Sequence, residues 1–133
     1  MNTSLDPDNP HAWLARAHSN LKLAEIGNQQ DVFLEDLCFE AQQAAEKAFK
    51  AVCVYFKVEF PKTHSLGALT GLLEQAGVKV PPELIDADLL TYFAVQTRYP
   101  GWDEAVSEAE YLHALSTARQ VLSWAEAVLQ EGV

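Results

Sequence analysis

The chain has 133 residues, and its 9 lysines and arginines stand against 19 acids, a net charge of −10. Hydrophobic residues make up 49% and charged residues 21%, which fits one globular domain over residues 1–133 and excludes collagen-like and disordered chains. The longest apolar run, Ala51 to Phe56, falls far short of the roughly 20 residues of a membrane helix, so no transmembrane span is expected.

Ala and Leu, both good helix formers, dominate the chain, and apolar residues recur at three- and four-residue steps rather than alternating. The first predicted helix runs from Pro10 to Ile26, capped by Asn9, with Pro10 at its first position and Gly27 at its end. Its stripe is Trp13, Leu14, Ala17, Leu21 and Ala24. The second helix is long, Val32 to Lys57, with a stripe from Leu34 to Phe56 that is wider than one core contact needs. Phe39 falls on the opposite face, among Glu35, Gln42, Gln43 and Glu46. That placement fits either a second packing partner, such as another subunit, or a single surface aromatic. A short third helix spans Ser65 to Gln75, with Thr63 as its cap and Gly77 as its stop. A fourth starts near Pro82, carries Leu84, Leu89, Leu90, Tyr92, Phe93 and Val95, and ends before Pro100. The last helix follows Gly101–Trp102. Ser107 and Glu110 read as a capping box, and Leu112, Leu115, Ala118, Leu122, Ala125 and Leu129 carry its stripe. The expected architecture is all-α: an antiparallel four-helix up-and-down bundle with an additional short helix, about five in all.

The strong acidity opposes non-specific binding to duplex DNA, because phosphate affinity comes from Lys and Arg. Cys38 and Cys53 lie on one helix roughly 22 Å apart at about 1.5 Å per residue, too far to bridge, and are expected as free, mostly buried thiols. No Cys or His spacing resembles a zinc site, so neither a metal nor a cofactor is expected. The N-terminus has no basic head and no apolar stretch. It is therefore read as lacking a signal peptide, and the protein is placed in the cytoplasm.

His11 and His18 read as surface or interface residues, and His113 as half-buried. His64, in Lys62-Thr63-His64-Ser65, sits at a helix start, where it either caps and packs or touches a ligand. Arg98 precedes Tyr99 and Pro100. Its cation either complements a helix C-terminus or binds phosphate bidentately while Tyr99 offers a stacking face. Lys47 and Lys50 lie on the polar face of the second helix. Glu46 and Lys50 form an i,i+4 pair, with a solvated face the expectation for Lys50. Tyr92 and Tyr111 are expected in the core. No nucleophile elbow, glycine-rich phosphate loop or zinc-protease motif is present.

Three segments together resemble the HEPN domain family: Leu37 to Ala51 as its long second helix, Lys62-Thr63-His64-Ser65-Leu66 at the next helix start, and Arg98-Tyr99-Pro100 after the fourth helix. The resemblance implies a helical bundle that pairs into a homodimer, often beside a small nucleotidyltransferase partner in a toxin–antitoxin pair. It also implies a choice between ribonuclease and nucleotide-binding branches. The ribonuclease branch carries an arginine, then four to six residues, then a histidine. After Arg98 those positions hold Asp103, Glu104 and Ala105, so that motif is broken, and His113 lies too far along. Metal-free RNA cleavage needs a group that exchanges protons near neutral pH, and two adjacent acids would also repel the substrate phosphate. The resemblance therefore points to the Arg-Tyr-Pro branch, with no catalytic residues and a nucleotide held by Arg98, Tyr99, Lys47 and His64. Phe39, Gln42 and Gln43 would form the dimer surface. An RNA-cleaving toxin with a non-standard site, or a purely structural dimerisation module, is the alternative.

Overall fold

The computed structural model describes residues 6–27, 29–95 and 106–131. These residues form α1 (Pro10–Ala24), α2 (Leu34–Tyr55), α3 (Leu66–Gln75), a 3₁₀ segment (Pro82–Thr91) that runs into a single turn α4 (Tyr92–Val95), and α5 (Glu108–Glu131). The expected all-α fold is present, and no strand occurs among the described residues.

Local chemistry accounts for the ends. Asn9 accepts the His11 N–H at 2.9 Å and Pro10 opens α1, as its spacing predicts. Ser107 and Glu110 close the predicted capping box, with N–H to Oε1 at 2.9 Å and N–H to Oγ at 3.1 Å. The cap of α3 is Ser65 rather than Thr63: Ser65 Oγ accepts the Ala68 N–H, while Thr63 Oγ1 accepts the Ser65 N–H. The helices α2 and α3 both end in a Schellman motif. Val58 N–H reaches the Cys53 carbonyl and Val78 N–H reaches that of Leu73. The left-handed residue is Gly77 (φ 87°) in one but Lys57 (φ 58°) in the other, a conformation that costs a side-chain-bearing residue free energy.

Side-chain register fixes the topology. Trp13 of α1 meets Lys50 of α2, and Asn20 meets Glu40 and Lys47, so these helices run antiparallel. Tyr111 of α5 donates to the carbonyl of Ala24, and His18 faces Glu126, so α5 is also antiparallel to α1. The interfaces are built largely from alanine. Ala12, Ala17 and Ala24 of α1 and Ala41, Ala44, Ala45, Ala48 and Ala51 of α2 are all buried, which lets the backbones approach closely. Phe49, Val52, Leu66, Leu69, Leu73, Val121 and Leu122 fill the wider spaces.

The predicted fourth helix is mostly a 3₁₀ helix, and the buried residues explain why. Leu84, Ala87 and Leu90 are buried, with half-buried Phe93 next in the series, a period of three that matches three residues per turn. Three sequence-based expectations are corrected here. Leu89 is 70% exposed and Tyr92 41% exposed, because neither falls on the inward row. Leu112 of α5 is likewise 54% exposed, although Leu115, Ala118, Leu122, Ala125 and Leu129 are buried as expected.

The 3₁₀ segment is tied to the start of α3. Thr91 Oγ1 accepts the Leu66 N–H at 3.0 Å, and Asp88 Oδ1 accepts the Gly67 N–H at 2.7 Å and the Thr91 hydroxyl at 2.8 Å. With Ser65, these groups satisfy three of the N–H groups that a helix start leaves unpaired. A Cβ on Gly67 would lie 2.8 Å from an Asp88 carboxylate oxygen, so only glycine admits this contact. Asp88→Ala is expected to cost about 1 kcal/mol, a few degrees of melting temperature. Gly67→Ala should cost a similar amount, and the double variant less than the sum, because both remove the same cap. Thermal unfolding of the four proteins checks this; full additivity would refute the shared cap.

Candidate functional site

The polar face of α2 is not a solvated face. Gln42, Glu46 and Lys50 follow one another at four-residue steps, and all three are buried, Gln42 completely. This corrects the expectation for Lys50. Gln42, read from sequence as a dimer contact, has no exposed surface in the single chain; its side chain is spent on internal bonds. Gln43 and Phe39 are half-buried.

Glu46 is the centre of the group. Its Oε2 accepts from Lys50 Nζ at 2.9 Å, and its Oε1 accepts from Gln42 Nε2 at 3.1 Å and lies 2.9 Å from His64 Nδ1. Gln43 Nε2 also donates to Oε1 at 3.4 Å and to Gln42 Oε1 at 2.7 Å. Gln42 Nε2 further reaches the His64 carbonyl at 2.9 Å, so α2 holds both the backbone and the ring of His64. Lys50 Nζ sits 5.7 Å from the Trp13 ring centroid and 5.4 Å from that of Phe60, two rings that meet edge to face. Trp13 is anchored in turn by its indole N–H to the Pro7 carbonyl at 2.8 Å.

Burial pushes the Glu46 carboxyl up, but hydrogen bonds from Lys50, His64 and Gln42 outweigh it and hold the group below its ordinary value. A carboxylate facing His64 Nδ1 requires the proton on that nitrogen, which leaves Nε2 of the neutral ring as an acceptor. The His64 side chain is 62% exposed while that of Glu46 is 4% exposed, so a buried anion fixes a ring at the surface.

The other predicted residues divide. Lys47 does not join His64. It turns to α1 and donates to Asn20 Oδ1 at 2.8 Å, while Asn20 Nδ2 donates to Glu40 at 2.8 Å. Burial lowers the Lys47 pKa, against the opposing pull of Glu46 and Glu40. Arg98 and Tyr99 lie outside the described residues. His113 is exposed rather than half-buried, and His11 and His18 are exposed as expected. Cys38 and Cys53 are free and buried, as their spacing predicts, and desolvation is the main cause pushing each thiol up to about 12. Among the described residues, no cluster of His, Cys, Asp and Glu could hold a metal ion, and no helix is long and apolar enough to cross a membrane. The sequence reading missed the burial of Glu46 and Lys50 and the part played by Trp13 and Phe60. The available signal was the Gln42–Glu46–Lys50 line running directly beside the Ala41–Ala45–Ala48 row.

The class is that of all-helical bundles, here with a long alanine-rich second helix whose polar line turns inward on a histidine at the next helix start. A sequence model of the HEPN domain matches residues 10–128, and the chain belongs to the HEPN family. The crystal structure of ST0689, an archaeal HEPN homologue, is similar to it with a TM-score of 0.66, covering 90% of this chain and 96% of that one at 21% identity. That likeness establishes the fold. Comparison with curated proteins finds no match.

Glu46→Ala leaves Lys50 buried without its counter-charge and is expected to cost about 3 kcal/mol or more at pH 7. Replacing Glu46 and Lys50 together by Leu and Met should recover most of that loss. The pH dependence has a definite sign. A carboxyl whose folded pKa lies below its unfolded value adds stability above the unfolded pKa and loses it as pH falls through the folded one. The urea midpoint of the parent should therefore drop as pH falls below the ordinary glutamate value of 4.5, and Glu46→Gln should flatten that drop. A Glu46→Gln midpoint that tracks the parent across this range would count against the network.

Proposed function

We propose that this HEPN protein is a non-catalytic homodimeric module of the Arg-Tyr-Pro branch. It binds a nucleotide at the junction of α2 and α3 and works in the cytoplasm beside a small nucleotidyltransferase, in a toxin–antitoxin-like pair. The observation that carries the reading is the His64 ring, fixed by buried Glu46 and still 62% exposed. Such a ring is preorganised to meet a ligand, since its orientation is already set before binding. In this reading Arg98 takes the phosphate, Tyr99 stacks on the base, and His64 contributes Nε2. Lys47 supports the site through α1 rather than by direct contact, because its ammonium is bonded to Asn20. Asp103 and Glu104 stand where the ribonuclease histidine would fall, which favours binding over cleavage. Half-buried Phe39 and Gln43 remain for the dimer surface.

One observation favours a second reading. The His64 Nδ1–Glu46 contact is the arrangement that sets the tautomer of a general base, so an RNA-cleaving toxin would use His64 as base and Arg98 to stabilise the developing charge. Expression of the chain alone separates the two: normal growth and intact total RNA are expected, and His64-dependent RNA loss would establish the enzyme.

Thermal shift of the purified chain against ATP, GTP, AMP and short RNA, each with and without magnesium, tests the binding. A nucleotide at 100 times its dissociation constant should add about 2.7 kcal/mol, several degrees of melting temperature. That shift should vanish in Arg98→Ala and shrink in His64→Ala; a flat response to every ligand would reject the nucleotide. Light scattering should give a dimer in solution that Phe39→Glu converts to monomer.

A further inference from the structure

The 3₁₀ segment carries a second, outward row. Three residues per turn place Glu83, Asp86, Leu89 and Tyr92 in line on one side. All four are exposed, and Leu89 at 70% is the most exposed large apolar residue of the segment. Leu89 and Tyr92 form one wall of a groove of about 550 Å³, with Ala109, Glu110 and His113 of α5 as the other. Leu112, on the same side of α5 as Ala109 and 54% exposed, extends the apolar surface beyond it. The groove is thus apolar at its centre and acidic around it: Glu83 and Asp86 precede Leu89 along its row, Glu110 lines the wall, and Glu108 lies one turn before Leu112. Among the described residues, neither a lysine nor an arginine lines it.

We propose that this groove is a docking surface for a partner segment that is apolar on one face and basic on its flanks, an amphipathic helix rich in Leu and Lys or Arg. Apolar anchors would cover Leu89, Tyr92 and Leu112, and cationic flanks would meet Glu83, Asp86, Glu108 and Glu110. Charge selects the occupant. A second copy of this chain also carries −10 and brings the same acidic rim, so self-association through this groove sets like charges against each other. A basic partner has no such penalty, and its approach is electrostatically steered. The groove's lining shares no residue with the His64 group, and the proposal does not rest on a nucleotide binding there.

The test uses two synthetic peptides of equal charge: a helix with leucines on one face and lysines on the other, and the same sequence with the leucines changed to serine. Fluorescence anisotropy of labelled peptide against the full chain should show the leucine peptide binding at least tenfold more tightly. Leu89→Asp should weaken that binding tenfold or more, although it makes the protein more negative. That sign distinguishes docking from simple charge attraction, which the new carboxylate would strengthen. Leu112→Asp, on the other helix, should act the same way and guards against a folding defect in the first variant; thermal melts of both confirm the fold. Equal binding of the two peptides, or unchanged or stronger binding in both variants, would overturn the proposal. So would a solution dimer that both variants break, because the groove would then hold a second copy.

Discussion

One buried carboxylate organises this bundle. Glu46 lies in the middle of the central helix, where an unpaired charge would be costly, and every group that neutralises it comes from a defined place. Lys50 supplies the counter-charge one turn on, Gln42 a donor one turn back, and His64 a donor from the connection that leads to α3. The same demand reaches α1 through Lys50, whose ammonium lies against Trp13 and Phe60. A single charge thus holds three segments in register. An alternative packing of α2 that parted Glu46 from these donors would leave its charge buried without a partner.

The second constraint is the close contact at Gly67. The α3 start and the 3₁₀ segment are joined by Asp88 and Thr91, two side chains that use the 3₁₀ repeat to reach Gly67 and Leu66 together. Asp88 and Thr91 are three apart, so a helix with three residues per turn sets them one above the other. The capping contact and the inward row Leu84–Ala87–Leu90 therefore fit the same geometry, which the chain keeps over ten residues. That geometry turns Leu89 and Tyr92 away from the core.

Much of the fold was legible in sequence because its signals are local. Asn9–Pro10, Gly77 and Ser107–Glu110 mark helix ends by chemistry that acts within four residues, and the structure places them as read. Two things were not legible in the same way. The period of the 82–91 stretch is ambiguous, because apolar residues occur on every side of it. Only knowing which row faces the core separates a spacing of three from one of 3.6. The burial of Glu46 and Lys50 was hidden by a rule that works on most helices, that an i,i+4 ion pair marks the wet face. The rule fails where a third element brings donors to cover the pair, and His64 is 18 residues away in sequence.

In the proposed reading, His64 would combine a structural role with contact to a ligand. By sequence alone, packing and ligand contact were competing accounts of it. The geometry makes them compatible, since the ring has two nitrogens and the core uses one. Nδ1 and the backbone carbonyl are committed inward to Glu46 and Gln42, and this commitment fixes the direction of Nε2. A histidine held in that way gives up little conformational freedom when it meets a ligand, so even a modest contact at Nε2 retains most of its strength. The cost of fixing it is met on folding, by a carboxylate that needs the donor in any case.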